Sequence, residues 1–277
     1  MWFHETLFED VKLGLQGKLL YSKKTGFQDM KIFQTPAHGR LLLLDGTIQT
    51  TEKDEFIYHE MLTHPLLLAH PNPEKVLIIG AGDGGILREV LKHPVKEAAM
   101  VEIDGDVIEF SKKYLPSLSK GAFDDPRARI IIDDGAKFVR ETKEKFDVVI
   151  VDSPDPIGCA KVLFSKKFYR DIYNCMSADG MMIRQAGSTM YQFDELIENY
   201  RLLKRIFPIT IVELAAIPTY VGGFFSLLIG SKKIHPGRPM RTVRSRYRKL
   251  KLKTKYYNPE IHVTSQALPN FVKEVTK

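Results

Sequence analysis

Between residues 76 and 229 short apolar runs recur at intervals, most of them separated by amphipathic stretches, and this rhythm constrains the fold more than any other feature of the chain. The first run, VLIIG at 76–80, is continuous, as expected of a strand buried on both faces. Further runs follow at 98–103, 129–132, 146–151, 181–183, 209–217 and 224–229, and helical patterns such as 107–115 and 193–206 separate the first six. That order predicts an α/β fold with a parallel, doubly wound sheet and helices on both faces. Ligands of such sheets bind at the carboxyl ends of the strands. The chain before this region reads differently. Runs at 18–21, 30–33 and 40–44 alternate with the turn signals Thr25-Gly26, His38-Gly39 and Asp45-Gly46, which predicts a small β-rich unit. A helical pattern over 59–70 ends at Pro71-Asn72-Pro73. The expected organisation is an N-terminal β domain over residues 1–62 and a larger α/β domain over 63–277, with no internal repeat.

Composition excludes several classes. Over 277 residues, 44% are hydrophobic and 27% charged, a globular balance, and no apolar run is long enough to span a bilayer. The start, MWFHETLFED, lacks the basic and apolar pattern of a signal peptide, and two cysteines, Cys159 and Cys175, form neither a CxxC nor a disulfide framework. A cytoplasmic setting is therefore expected. The net charge of +7 is local: eleven of the 41 Lys and Arg residues lie in 232–255 with no acid among them, and the rest of the chain carries 34 acids against thirty bases. We read the basic stretch as a solvated face, so no nucleic-acid partner is expected.

The first strand of the larger domain runs into GAGDGG, residues 80–85, a GxGxxG sequence opening a helix. By itself the motif fits a plain strand-to-helix turn. Here the next strand ends in Glu102, 17 residues beyond the last glycine, where a carboxylate can accept both ribose hydroxyls while Gly80 and Gly82 let backbone approach the ligand. Asp134-Gly135 follows the third strand, placed for an adenine amino group. An adenosine-type ligand is expected.

Asp83 inside the glycine loop is unusual, because a carboxylate repels a pyrophosphate and suits a cationic ligand end. It also fits a helix cap. The fourth strand ends in Asp152-Ser153-Pro154-Asp155-Pro156, so three acids converge on one sheet edge. Such a set fits either a hard metal or an extended polycation, for which Trp2, Tyr58 and Tyr220 could supply aromatic walls; Asp152 and Asp155 also fit ordinary turn duty.

DEFIYHEM (54–61), VLIIGAGDGGILREVLKH, MVEIDGDVIEFSKKYLP, VDSPDPIG, IPTYVGG (217–223) and KYYNPEIH (255–262) together resemble the spermidine synthases, the polyamine aminopropyltransferases, and the likeness runs from WFHETL almost to the last residue. The resemblance implies a small N-terminal β domain on a Rossmann-like, methyltransferase-type domain, assembled as dimers or tetramers. It also implies transfer of an aminopropyl group from decarboxylated S-adenosylmethionine, a co-substrate, to putrescine, giving spermidine and methylthioadenosine. Gln28, Glu102, Asp134 and Gly135 would hold the nucleoside, with Gln49, Gly80, Gly82 and Cys159 on the donor side. His59 and Asp83 would line the polyamine side, Asp152 would be the general base and Asp155 would bind an ammonium. Tyr58 and Tyr220 would flank the attacking nitrogen, and Trp2 would wall the diamine channel.

The chemistry agrees. A sulfonium leaves readily, so no metal is required, whereas an amine of pKa about 10.4 costs roughly 4.6 kcal/mol to deprotonate at pH 7. Four positions depart from the family pattern. Cys159-Ala160-Lys161-Val162 replaces a Pro-Ala-Glu-Ser-like gating loop, Val221 stands where proline is common, Phe224-Phe225 where tryptophan often sits, and Gly187 where many members carry an acid. These keep agmatine or cadaverine open as alternative acceptors. A methyltransferase would share the sheet and glycine loop, and Asp83 with the later acids argues against it.

Overall fold

A computed structural model of the chain describes residues 1–154, 158–237 and 239–276, with the side chains of 158 and 159 left out. The N-terminal unit begins with an antiparallel ribbon, β1 (Trp2–His4) and β2 (Gly14–Gln16). A four-stranded antiparallel meander follows: β3 (Lys18–Lys24), β4 (Asp29–Thr35), β5 (Gly39–Leu44) and β6 (Thr47–Thr51). The apolar runs predicted as strands became β3, β4 and β5. Strands β1, β2 and β6 carried no run of their own, being three residues long or rich in threonine.

α1 (Glu55–Ala69) then crosses into the larger unit. All of it but Phe56 is buried, and a helix that is enclosed on every side belongs in an interior. Asp54 fixes its start: one carboxylate oxygen accepts from Thr51 Oγ1 and the other from the backbone and hydroxyl of Thr219 at 2.9 and 2.7 Å. The sequence division after residue 62 falls inside this helix. Its side chains Ile57, Met61, Leu62 and Leu66 join the core of the large sheet, so we place the division at the turn before α1.

The remaining elements are β7 (Lys75–Gly80), α2 (Gly85–Leu91), β8 (Glu97–Glu102), α3 (Gly105–Tyr114), α4 (Pro116–Ser119), β9 (Ala128–Ile132), α5 (Gly135–Glu141) and β10 (Phe146–Asp152). After them come α6 (Lys166–Cys175), β11 (Met176–Ser188), α7 (Phe193–Lys204), β12 (Ile209–Ala216), β13 (Phe224–Ser231), α8 (Met240–Leu250), α9 (Pro259–Thr264) and α10 (Asn270–Val275). The seven strands from β7 onward form one sheet in the order β12-β13-β11-β10-β7-β8-β9. Five of them are parallel neighbours, but β13 lies antiparallel between β11 and β12. The helical patterns expected between strands separate only the first six runs, and the β12–β13 link is too short for a crossover helix, which leaves an antiparallel return as the available connection.

Successive residues of each strand feed opposite cores, as the pleat requires. Val76, Ile78, Val148 and Ile150 pack with α1 and α2, whereas Leu77, Ile79, Val149 and Val151 pack with α5, α6 and α7. A third cluster, Met30, Ile32 and Leu42 against Val107, Leu115 and Leu118, fastens the N-terminal meander to α3 and α4. That contact sets the meander beside the carboxyl ends of β7 and β8.

The basic stretch is mostly solvated, as expected, with Arg241, Arg248, Lys249, Lys251 and Lys253 exposed. Arg246 is different. Its Nη1 donates to the carbonyls of Leu68, Ala69 and His70 at 2.7–2.9 Å and so caps the C-terminus of α1. Glu60 of the same helix accepts the backbone N–H groups of Lys255, Tyr256 and Tyr257 at 2.8 Å. The segment is therefore bound to α1 at two points. No helix among the described residues is long and apolar enough to cross a membrane.

Candidate active site

A cavity of about 380 Å³ opens over the carboxyl ends of β7, β8, β9 and β10, lined on its far side by residues of the N-terminal unit. Its position follows from the register. Gly80 pairs with Asp152 across β7 and β10, and a Cβ on Gly80 would sit 1.8 Å from the Asp152 carbonyl oxygen. Gly80 also has φ +82, so only glycine lets the chain leave β7 here toward the loop.

One half of the cavity has a nucleoside-like character. Glu102 at the end of β8 is buried, accepts from the Asp104 backbone N–H at 2.9 Å, and is lifted by burial to a pKa of about 7. Asp104 in turn caps α3 and accepts from Thr25 Oγ1 at 2.7 Å and Gln28 Nε2 at 3.0 Å, which ties Gln28 to this edge. Asp134 Oδ1 caps α5 through Ala136 N at 2.7 Å and Lys137 N at 3.2 Å, and Gly135 lies beneath it. Ile79, Val101, Ile103, Val107 and Leu163 supply apolar walls.

The other half is acidic and aromatic. Asp152 Oδ1 accepts from Tyr58 Oη at 2.6 Å. Burial, together with the charge of Asp83, raises the Asp152 pKa to about 6 against the pull of Tyr58 and His59. The Tyr58 phenol is held well above its ordinary value by burial and by Asp152, so it remains a neutral donor. Asp83 serves two purposes: Oδ1 accepts from Gly85 N at 2.8 Å, a turn leading into α2 in place of the helix cap expected of it, because Gly84 is the N-cap residue, and Oδ2 lies 3.2 Å from His59 Nε2. Tyr58, Tyr220 and Phe225 form an edge-to-face cluster with centroids 4.9–6.0 Å apart, and Tyr220 Oη donates to the Gln49 carbonyl at 2.6 Å. Two perturbed carboxyls in one cleft mark a functional site.

Of the residues expected from sequence, Gln28, Gln49, Tyr58, His59, Gly80, Gly82, Asp83, Glu102, Asp134, Gly135, Asp152 and Tyr220 all line this cavity. Trp2 does not; it is 66% exposed on β1. Asp155 lies outside the described residues, as does the side chain of Cys159, although Ala160 and Val162 of the same loop reach the cavity. Sequence reasoning missed Glu5, Thr6, Leu7 and Phe8, which cross the cavity from the N-terminal unit, and Gln185 and Gln192. The departure at Gly187 has a local cause. With φ +78, a Cβ there would lie 2.7 Å from Gln192 Oε1, the atom that accepts the Ser188 N–H.

With this geometry in view, comparison with known proteins identifies the family. Residues 55–238 match the spermine/spermidine synthase domain and residues 1–52 the spermidine synthase tetramerisation domain. The chain is 47% identical to a polyamine aminopropyltransferase of Caldicellulosiruptor bescii, covering 100% of this chain and 98% of that one. It is 45% identical to the one of Clostridium kluyveri, covering 100% and 99%. A spermidine synthase solved in complex with the transition-state analogue AdoDATO superposes with a TM-score of 0.95 at 44% identity, covering 100% of this chain and 94% of that one. The spermidine synthase of Thermotoga maritima gives 0.92 at 43%, with the same coverage. The chain belongs to the spermine/spermidine synthase family and is a polyamine aminopropyltransferase.

Proposed function

We propose that the protein transfers the aminopropyl group of decarboxylated S-adenosylmethionine to putrescine, with Asp152 as the general base. The observation that carries this reading is the Tyr58–Asp152 pair, at 2.6 Å, beside Asp83 at the junction of the nucleoside-like and acidic halves of the cavity. In this reading Glu102 accepts the ribose hydroxyls, Asp134 and Gly135 meet the adenine, and Gln28, Gln49 and the glycine loop border the donor. The donor's cationic tail lies toward Asp83. The acceptor enters along Tyr58, Tyr220 and Phe225, whose faces suit an ammonium and an apolar methylene chain together.

Tyr58 occupies one oxygen of Asp152 and leaves the other for the acceptor's proton. As the amine nitrogen bonds the propyl carbon, the carbon–sulfur bond breaks, its electron pair passes to the sulfonium, and methylthioadenosine leaves as a neutral thioether. The acceptor's proton passes to Asp152. A carboxylate lifted toward 6 is better matched to this transfer than an ordinary one. The sulfonium supplies the driving force for departure, so no step requires a metal.

The N-terminal unit exposes Met1, Trp2, Leu19 and Leu20, and its match to a tetramerisation domain supports a homotetramer in which this face is covered. We assign Trp2 to the acceptor channel only within such an assembly, and the protein to the cytoplasm. The test is methylthioadenosine release from decarboxylated S-adenosylmethionine with putrescine, agmatine and cadaverine supplied separately. Release with putrescine in preference to the others is expected. Preference for agmatine or cadaverine would overturn the acceptor, and methyl transfer from intact S-adenosylmethionine would overturn the reaction.

A further inference from the structure

A buried run of alternating charge leads away from the cavity through the contact of α1 with α2. His59 Nε2 lies 3.2 Å from Asp83 Oδ2, and His59 Nδ1 lies 2.7 Å from Glu55 Oε2. Arg88 grips both oxygens of Glu55, Nη1 at 3.2 Å and Nη2 at 2.8 Å, and its Nε donates to Glu89 Oε1 at 2.7 Å. Glu89 Oε2 then meets His64 Nε2 at 2.9 Å and Lys92 Nζ at 2.6 Å. Exposures of 2% for His59, 8% for Glu55, 9% for Arg88 and 1% for Glu89 put the run almost wholly out of water. Buried ion pairs seldom repay their desolvation better than apolar packing would, so stability is a poor reason for this arrangement. Only its first two members, Asp83 and His59, touch the cavity.

The geometry dictates the charge on His59. A neutral imidazole would leave one ring lone pair facing a carboxylate oxygen in a water-free site, whereas an imidazolium donates at both nitrogens. Glu55 is kept ionised by the forked contact with Arg88, which carries its charge at every accessible pH. We propose that Glu55 and Arg88 are positioning residues for aminopropyl transfer: they hold His59 as a permanent imidazolium bonded to Asp83, so that the charge of Asp83 is balanced within the pair and Asp152 is left to take the acceptor's proton. The inference rests on the assignment of Asp152 as base. The groups facing His59 are Glu55 and Tyr58 from α1, Asp83 from the β7–α2 loop, Arg88 from α2 acting through Glu55, and Asp152 from β10. Burial alone would push the imidazolium toward neutrality, but Asp83 and Glu55 together raise its pKa to about 10.

The test has two readouts. In the ligand-free, 15N-labelled full chain, long-range proton–nitrogen correlations follow the histidine rings, with His59 assigned by its loss in His59→Gln. Both His59 nitrogens should keep imidazolium shifts to about pH 9 or above, and a midpoint near the ordinary value of about 6.5 would overturn the proposal. His59→Gln, which removes the ring charge, should move the acid limb of kcat/KM upward as Asp152 loses a compensating charge, and Glu55→Gln should lower the ring midpoint by at least about one pH unit. Arg88→Met should act in the same direction, and Arg88→Lys, which restores a charge, should recover part of the shift. An unmoved ring midpoint in folded Glu55→Gln or Arg88→Met, or an unmoved acid limb in folded His59→Gln, would refute the positioning role even with His59 charged in the unsubstituted protein. The ring titration is independent of turnover, so an error in the Asp152 assignment would show separately, as an acid limb unchanged by Asp152→Asn.

Discussion

Replacing Asp152 by Asn is expected to change the shape of the pH–rate curve as well as its height. Asn keeps the volume and still accepts from Tyr58, so donor binding should change little. What it loses is the site for the proton. With Asp152 at about 6, roughly nine tenths of wild-type sites are ionised at pH 7 and can receive an ammonium directly. The variant must wait for an amine that arrives neutral. At a pKa of about 10.4 that is roughly 4 × 10⁻⁴ of the acceptor at pH 7, equivalent to about 4.6 kcal/mol. The expected loss is therefore about 10³-fold at pH 7, within the usual range for a general base, narrowing tenfold per pH unit to about 30-fold at pH 9. Wild-type kcat/KM should be flat above about pH 7 and fall tenfold per unit below 6. Single-turnover release of methylthioadenosine across this range measures both curves. Two parallel curves, or a wild-type rate that itself climbs tenfold per unit from pH 6 to 9, would refute Asp152 as the base.

Three further expectations follow from the packing. Gly85→Ala should cost about 1–3 kcal/mol despite the better helix former, because its Cβ would lie 2.2 Å from a His59 ring tied at both nitrogens; chemical denaturation measures it, and a stabilised variant would contradict the geometry. Arg246→Met should cost about 1–3 kcal/mol by uncapping α1 while leaving the turnover of folded enzyme near wild type, whereas Arg241→Ser and Lys249→Ser should stay within about 0.5 kcal/mol; equal melting of all three would show that the cap contributes nothing. Glu213, buried on β12 with Gln266 Nε2 at 2.9 Å, is raised by burial to a pKa of about 8. The folded state keeps a proton that the unfolded chain releases above its ordinary 4.5, so this group's contribution is full below about 4.5 and lost as pH rises toward 8. Glu213→Gln removes that dependence, and the stability gap in favour of the variant should widen between pH 5 and 8 by on the order of 4 kcal/mol; melting curves with a constant gap would count against it.

What the sequence by itself determined is what depends on neighbours along the chain. A continuous apolar run marks a strand buried on two faces, and the residue that ends it must emerge at the sheet edge. Gly80, Glu102, Asp134 and Asp152 were therefore legible as one site although they lie at or just beyond the ends of four separate strands. The hidden part depends on contacts between distant segments, which leave no period in the sequence. Glu5 to Phe8 reach the cavity only because Met30, Ile32 and Leu42 dock on α3 and α4. Arg246 looked like one more solvated base until the fold carried it to the end of α1, more than 170 positions earlier. Strand β13 turned antiparallel because of a short link, which periodicity does not encode. The charge states are the clearest case: Asp152 and Glu102 are ordinary carboxylates in sequence, and His59 an ordinary imidazole. Burial and the neighbours the fold supplies are what move them to about 6, about 7 and about 10.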